Sequence, residues 1–167
     1  MFYKRRGVPQ VGDMFNCRRV TDVYTGFESE KDVNLNWDKR GEWLAHEPNI
    51  PWWSVRTAVR TVKVADSGIA PTSIDYWFYR MENLSSIDVQ KLDTSRCSDF
   101  FLTFGDCSSL TSIDASNWST QSLIRLNGTF LGCKRMKSPY LGGWETSNVL
   151  SFHCLFHNCR AMSDGAM

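Results

Sequence analysis

The sequence predicts an α/β fold, a right-handed solenoid in which one parallel strand and one short helix recur in every 26-residue coil. Three observations predict this fold. Apolar residues recur at a period of 26 in several independent columns. Each repeat begins with the two-residue alternation of a short strand, and each continues with the three–four–three spacing of one helix face.

The period is clearest where one phenylalanine and one cysteine recur in each repeat. The columns are Phe78, Phe104, Phe130, Phe156 and Cys107, Cys133, Cys159. One coil cannot bury its own apolar face, so neighbouring coils must stack and equivalent side chains must form ladders. We therefore expect Phe104, Phe130 and Phe156 to contact one another away from water.

The chain divides into two regions, an N-terminal β-rich cap over 1–58 and a repeat solenoid over 59–167. The solenoid comprises a degenerate coil, three repeats and a truncated coil, which are 59–83, 84–109, 110–135, 136–161 and 162–167. In the degenerate coil, Val62 stands 25 residues before Ile87. The aromatic-rich residues before it are expected to cover the first coil, because the end of a repeat array must be covered.

Within a repeat, Ile87 and Val89 show the strand alternation. The helical stripe of the first repeat consists of Cys97, Phe100, Phe104 and Cys107. One column near the end of each stripe holds Asp106, Gly132 and Asn158, residue types that tolerate the left-handed backbone conformation. A threonine column, Thr94, Thr120 and Thr146, is expected to turn its hydroxyls onto turn backbone groups.

Composition excludes several classes of function. The 167 residues carry a net charge of +1 and are 42% hydrophobic, which is typical of a folded domain and lacks the large positive excess of most nucleic-acid-binding proteins. No segment is long and apolar enough to span a membrane. The basic N-terminus is followed by no apolar run, so we expect either an intracellular protein or a piece of a longer one.

The repeats resemble those of the BspA-like leucine-rich repeat proteins of bacterial surfaces. The resemblance is carried by Trp144-Glu145-Thr146-Ser147-Asn148-Val149, by Trp118-Ser119-Thr120, and by the Phe-x-x-Cys that follows each of them. It implies a leucine-rich-repeat-like solenoid, a location at the cell surface or outside the cell, and a non-enzymatic role in adhesion or protein binding. The alternative is a structural spacer or assembly scaffold that has no ligand of its own.

The outward positions of the strands form one candidate partner-binding surface, which we call the strand face. It consists of Ser86, Asp88, Gln90, Ser112, Asp114, Ser116, Ser138 and Tyr140. A protein ligand, from a host surface or matrix, is the partner expected there, because solenoids present wide and rigid surfaces. Small polar residues that only keep an exposed sheet soluble explain the same pattern about equally well.

Two other groups of residues invite chemical interpretations. His153, Cys154, His157 and Cys159 resemble a zinc motif, with the histidines four residues apart on the predicted helix, but Cys159 belongs to the core column. Asp88 and Asp114 share a column and could form a carboxylate pair of the glycosidase type, on outward positions where solvated charge is expected. The sequence therefore predicts no enzyme, no catalytic residue, no cofactor and no metal, and metal analysis of the protein would test the metal-dependent hydrolase alternative.

The six cysteines also allow two interpretations. Stacked cysteines come close enough for a disulfide, but their Cβ atoms point the same way, so free buried thiols are the preferred prediction. At the other end of the array the truncated coil 162–167 has no polar cap. We expect Met136 and Leu141 to be partly exposed there, or covered by another chain in an end-to-end contact.

Overall fold

The computed structural model describes residues 50–162, together with the backbone of a short antiparallel pair, β1 (Met14–Phe15) and β2 (Arg18–Arg19). Most of the predicted cap and all of 163–167 therefore lie outside the described residues. The remaining elements are a 3-10 helix over Trp53–Ala58, the strands β3 (Thr61–Lys63), β4 (Ser86–Asp88), β5 (Ser112–Asp114) and β6 (Ser138–Tyr140), and a 3-10 helix over Arg160–Met162.

The segment before β3 packs on the first residues of the array through two tryptophans. The Trp52 indole Nε1 donates a hydrogen bond to the Trp77 carbonyl at 2.6 Å. The Trp53 ring stacks on Tyr79 with 6.0 Å between the ring centroids. Large aromatic surfaces from outside the repeats are thereby buried against this end of the core.

The strands pair in parallel, as the period predicts, but they do not form one continuous sheet. β3 pairs with β4, with Val62 opposite Ile87, which confirms the 25-residue offset of the degenerate coil. β5 pairs with β6, with Ile113 opposite Pro139. β4 and β5 lie side by side without a backbone ladder among the described residues, and a side-chain bond from Gln90 to Asp114 joins the two units there.

The prediction of a short helix in each repeat is wrong for the described residues. The segment that was expected to be helical is a succession of turns. In the first repeat, the N–H groups of Leu102 and Phe104 donate to carbonyls of the next repeat, at Asn127 and Thr129. The N–H groups that alternate with them, those of Thr103 and Gly105, close local turns instead. Because alternate N–H groups point to the neighbouring repeat, they cannot join an i→i−4 helical ladder.

In each repeat, the backbone has the left-handed conformation at two positions. This conformation is a second reason why the segment is not a helix. One is the predicted column, where Asp106, Gly132 and Asn158 have φ values of 57°, 69° and 63°. The sequence did not reveal the second column, which contains Tyr76, Leu102, Gly128 and Cys154. At Gly132 a side chain would be doubly costly, since a Cβ would also collide with the Asp106 carboxylate.

The phenylalanine column forms the predicted ladder. The ring centroids of successive members are 5.0, 5.4 and 5.4 Å apart from Phe78 to Phe156, and no pair of ring planes differs by more than 14°. Phe78, Phe104 and Phe130 are fully buried. The expectation that equivalent residues of successive repeats contact one another is therefore confirmed for this column.

Polar atoms in the other columns also bond between repeats, at an offset of 29 residues for the cysteine and tryptophan columns and 25 residues for the threonine column. The Cys133 thiol donates to the Phe104 carbonyl at 3.1 Å, and the Trp144 indole Nε1 donates to the Ala115 carbonyl at 2.8 Å. The Thr94 and Thr120 hydroxyls donate to carbonyls of the following repeat, which confirms their predicted role. The five cysteines that the structure describes are free thiols, four of them buried.

Burial at the last repeat differs from the prediction in one respect. Met136 is fully buried, contrary to expectation, because the turn up to Met162 packs against the same core. Leu141 is half-buried, as expected. The most exposed large apolar side chain among the described residues is Leu150, at 84%.

Candidate interaction surface

The strand face is built by the alternation of β4, β5 and β6. Ile113 is buried in the core, Ile87 packs against it, and the central residue of β6, Pro139, is half-buried between two exposed neighbours. Seven of the eight predicted residues are exposed, and Asp114 is half-buried. The structure thus places them on adjacent strands and on the residues that follow β4 and β5.

Tyr140 is the most prominent side chain of this face, with 61% of its surface exposed. It lies directly opposite Asp114 in the β5–β6 pair. The Tyr140 carbonyl accepts a backbone hydrogen bond from Ala115, so its position is held by the neighbouring repeat. An exposed aromatic ring on a fixed backbone is a chemical feature that binding surfaces use often.

The two aspartates of the face have different partners. Asp88 forms an ion pair with Lys63 at 3.3 Å, and both side chains are about half exposed. The Asp114 carboxylate accepts hydrogen bonds from the Ser116 hydroxyl, the Ser116 N–H and the Gln90 side chain. The bonds from Ser116 and Gln90 hold the pKa of Asp114 below its ordinary value. A lowered pKa keeps this carboxylate ionised, which is the opposite of what a general acid needs.

A second acidic pair, which the sequence reasoning did not identify, lies inside the molecule. Asp75 and Asp99 are each 6% exposed, and an Arg125 nitrogen lies 2.5 Å from an Asp99 carboxylate oxygen. Asp75 accepts the Phe101 N–H at 2.9 Å. Burial, followed by the negative charge of Asp99, raises the pKa of Asp75 to about 7.

Burial also raises the pKa of Asp99, against the opposing effect of Arg125. One sequence signal could have revealed this group. Asp99, Arg125 and Ser151 occupy one column, and the structure joins them by successive parallel bridges. Opposite charges in adjacent positions of a stacking column predict an ion pair between repeats.

The His and Cys residues of the last repeat do not form the arrangement that a zinc site requires. Residues 153–158 are turns, so His153 and His157 are not one helical turn apart. The Cys159 thiol donates to the Phe130 carbonyl at 3.0 Å within the core column. Within 50–162 no group of three or more His, Cys, Asp or Glu side chains is placed to hold a metal ion.

These contacts define a class of protein: a repeat protein whose 26-residue units pair in register and present exposed strand residues on one face. The chain belongs to the family described as Mycoplasma protein of unknown function, DUF285, whose model matches residues 72–166. The match covers all three complete repeats and begins in the degenerate coil. No curated protein and no solved structure matches the chain.

One further property can be stated for the described part of the chain. It contains no helix with the length and apolar character needed to cross a membrane.

Proposed function

We propose that this chain is a non-enzymatic protein-interaction module of the adhesion type, which binds a protein ligand on its strand face. The observation that carries the proposal is Tyr140, an aromatic side chain 61% exposed on a strand whose backbone is hydrogen-bonded to the neighbouring repeat. Tyrosine is enriched among the residues that contribute most to protein–protein binding. Small outward side chains such as Ser112 and Ser138 leave room for a partner around it.

Rigidity supports a binding role. The Phe104 ring lies between those of Phe78 and Phe130, and alternate backbone N–H groups bond from one repeat to the next. A surface that is already ordered loses little conformational entropy when a partner binds. A face composed of short side chains can therefore bind without the cost of ordering long loops.

The resemblance of the repeats to BspA-like proteins supports the same proposal and extends it. It favours a right-handed leucine-rich-repeat-like solenoid and a bacterial protein displayed at the cell surface or secreted. Parallel pairing at offsets of 25 and 26 residues is the arrangement that such a solenoid requires. The expected ligand is a protein of a host surface or matrix.

The proposal is tested by binding of the purified chain to surfaces coated with fibronectin, laminin or type I collagen. Tyr140→Ser is expected to weaken the strongest of these interactions by about 30-fold, because a hot-spot residue contributes about 2 kcal/mol or more. Leu150→Ser is the matched control, since Leu150 is also a highly exposed apolar side chain but lies outside the three strands. Equal weakening by both variants would contradict binding through the strand face.

The alternative function is a structural spacer or assembly scaffold. The observation that favours it is that Asp88 and Asp114, the charged residues of the strand face, already bind Lys63, Ser116 and Gln90 within the chain. A scaffold predicts that neither the wild-type chain nor Tyr140→Ser binds any coated protein above an uncoated surface. That result would replace the adhesion proposal.

A further inference from the structure

The charged residues are divided unevenly along the array. Residues 50–114 contain six Lys and Arg and eight Asp and Glu, whereas 115–162 contain five Lys and Arg and one acidic residue, Glu145. The chain is nearly neutral as a whole, but residues 115–162 carry a net positive charge. A local excess of one sign attracts ligands of the opposite sign even where net charge is small.

Three of these cations lie within four consecutive residues. Lys134, Arg135 and Lys137 are all exposed, and Met136 between them is fully buried in the core. The backbone of this segment is anchored, since the Lys134 N–H donates to the Gly132 carbonyl and the Lys137 N–H donates to the Thr111 carbonyl. The buried methionine thus holds three cationic side chains, which we call the basic segment, on the surface between Cys133 and β6.

The basic segment is not neutralised by neighbouring carboxylates. No ion pair joins its three side chains to an acidic group in the part of the chain that the structure describes. Lys134 interacts electrostatically with Asp106, but that carboxylate lies 3.8 Å from Arg80, whose effect on its pKa is larger. Exposed cations that form no ion pair remain available to attract an anionic ligand.

The neighbouring repeats limit the size of this electropositive surface. The column that contains Lys134 reads Glu82, Ser108, Lys134 and Arg160 from the first described coil to the last. The Ala161 N–H donates to the Lys134 carbonyl at 3.2 Å, so the turn that carries Arg160 lies beside the basic segment. On its other side the column continues to the uncharged Ser108 and then to the exposed Glu82. The cationic area therefore covers about two repeats, or about 10 Å along the stacking direction.

We propose that Lys134, Arg135 and Lys137 form a binding site for a sulfated polysaccharide of the heparin type. Short basic clusters are typical of heparin-binding and nucleic-acid-binding surfaces. The narrow cationic area favours the polysaccharide, because a single chain needs a narrower cationic surface than a DNA duplex, whose phosphates lie on two strands, and residues 50–114 carry more acidic than basic side chains. The Arg135 guanidinium can bind one sulfate group through two parallel N–H···O bonds, and the two lysines act as point charges beside it.

This site is separate from the strand face and does not depend on the function proposed for that face. Its residues are the three cations of the basic segment, whereas the protein-binding proposal is carried by Tyr140. Lys137 directly precedes Ser138 of the strand face, but the variants that test one proposal replace no residue that carries the other, so each proposal can fail without the other.

The test is calorimetric titration of the whole chain with a heparin dodecasaccharide over a range of NaCl concentrations. The variant K134Q/R135Q/K137Q is expected to bind at least about 10-fold more weakly at 0.15 M salt, with the slope of log K against log salt reduced by about 2. The control R60Q/K91Q/R96Q removes the same charge from other exposed positions and is expected to bind as the wild type does. The variant K134R/K137R, which retains the charges, should bind normally.

Four results would overturn the proposal. They are no binding of the wild type at 0.15 M salt, equal weakening by the control triple variant, equal binding of a desulfated dodecasaccharide, and equal or tighter binding of a DNA duplex of matched charge. A cooperative unfolding transition for K134Q/R135Q/K137Q, with the wild-type midpoint, shows that its lost binding is not lost folding.

Discussion

The rings of Phe104 and Phe130 stack with 5.4 Å between their centroids and 5° between their planes, although the residues are separated by a full repeat in sequence. Phe78 lies on the other side of Phe104 at 5.0 Å. Phe104 and Phe130 each have an equivalent ring on both sides, so loss of either ring affects two interfaces between repeats. Ring stacking within this column therefore holds neighbouring repeats together.

We expect Phe104→Ala to lower the free energy of unfolding by about 3–5 kcal/mol, the usual cost of removing a fully buried aromatic ring. Phe156→Ala should cost less, because Phe156 is half-buried and has one described ring neighbour in its column. Urea denaturation followed by tryptophan fluorescence measures both values. Equal losses would show that the ladder does not stabilise its central members more than its last.

Two buried threonines in one column predict opposite responses to the same substitution. The Thr129 hydroxyl lies 2.9 Å from the carbonyl oxygens of both Phe100 and Leu126, whereas the buried Thr103 hydroxyl has no hydrogen-bond partner. Thr129→Val should therefore destabilise the fold by about 1–3 kcal/mol, and Thr103→Val should be neutral or stabilising. Urea midpoints of the two variants check this, and a larger loss for Thr103→Val would contradict the assignment of Thr103 as unbonded.

Asp75 predicts that stability decreases as the solution becomes less acidic. Its pKa is about 7 in the folded protein against 3.8 for an ordinary aspartate, so between these values the folded state binds a proton that the unfolded chain releases. The free energy of unfolding therefore falls as pH rises from about 4 to about 7, by an amount of the order of 4 kcal/mol. Urea denaturation at pH 5 and pH 8 covers two of these pH units and should therefore show a difference of about 3 kcal/mol.

Asp75→Asn should remove most of this pH dependence, because the amide oxygen can still accept the Phe101 N–H without carrying charge. The remaining dependence would come from Asp99, whose pKa burial also raises. Asp93→Asn is the control, since Asp93 is exposed and hydrogen bonds from Ser95 lower its pKa. An unchanged pH dependence in Asp75→Asn would refute the role given to Asp75.

The buried cysteines predict selective protection of thiols from alkylation. Burial raises the pKa of Cys97 to about 12 and raises that of Cys133 well above its ordinary value, so neither forms the reactive thiolate near neutral pH. Half-buried Cys154 should react with iodoacetamide first among the described cysteines. Peptide mass spectrometry of samples labelled with and without urea checks the order, and early labelling of Cys133 in the native protein would contradict it.

Residue spacing predicted several of the side-chain contacts and one strand pairing between repeats. The phenylalanine ladder, the threonine hydrogen bonds and the offset that pairs Val62 with Ile87 all follow from the period of the sequence. These features share one cause, because stacking identical coils brings equivalent residues together whatever the local backbone does. For the same reason, the outward positions of β4, β5 and β6 could be identified before the structure was known.

The predicted helix failed because its evidence was ambiguous. Separations of three, four and three residues place Cys97, Phe100, Phe104 and Cys107 on one side of a helix, but they do the same for a row of turns. Hydrogen bonds distinguish the two structures. The Phe104 N–H bonds to Thr129 in the next repeat, a contact that no local pattern encodes.

The buried carboxylates of Asp75 and Asp99 illustrate the second kind of information that spacing lacks. Aspartates are usually exposed, so an aspartate in a repeat is expected at the surface. Asp75 and Asp99 are buried because neighbouring coils cover them when they stack. Their altered pKa values arise from that burial and from their proximity to each other and to Arg125.

The amino-acid sequence alone determined the 26-residue period, the ladders that it produces and the strand positions that face outward, because these depend on spacing along the chain. The tertiary structure decided which N–H groups cross between repeats, where the strand ladder is interrupted and which carboxylates are buried. Those outcomes depend on the environment that each group meets when coils distant in sequence come together, and composition and periodicity do not specify that environment.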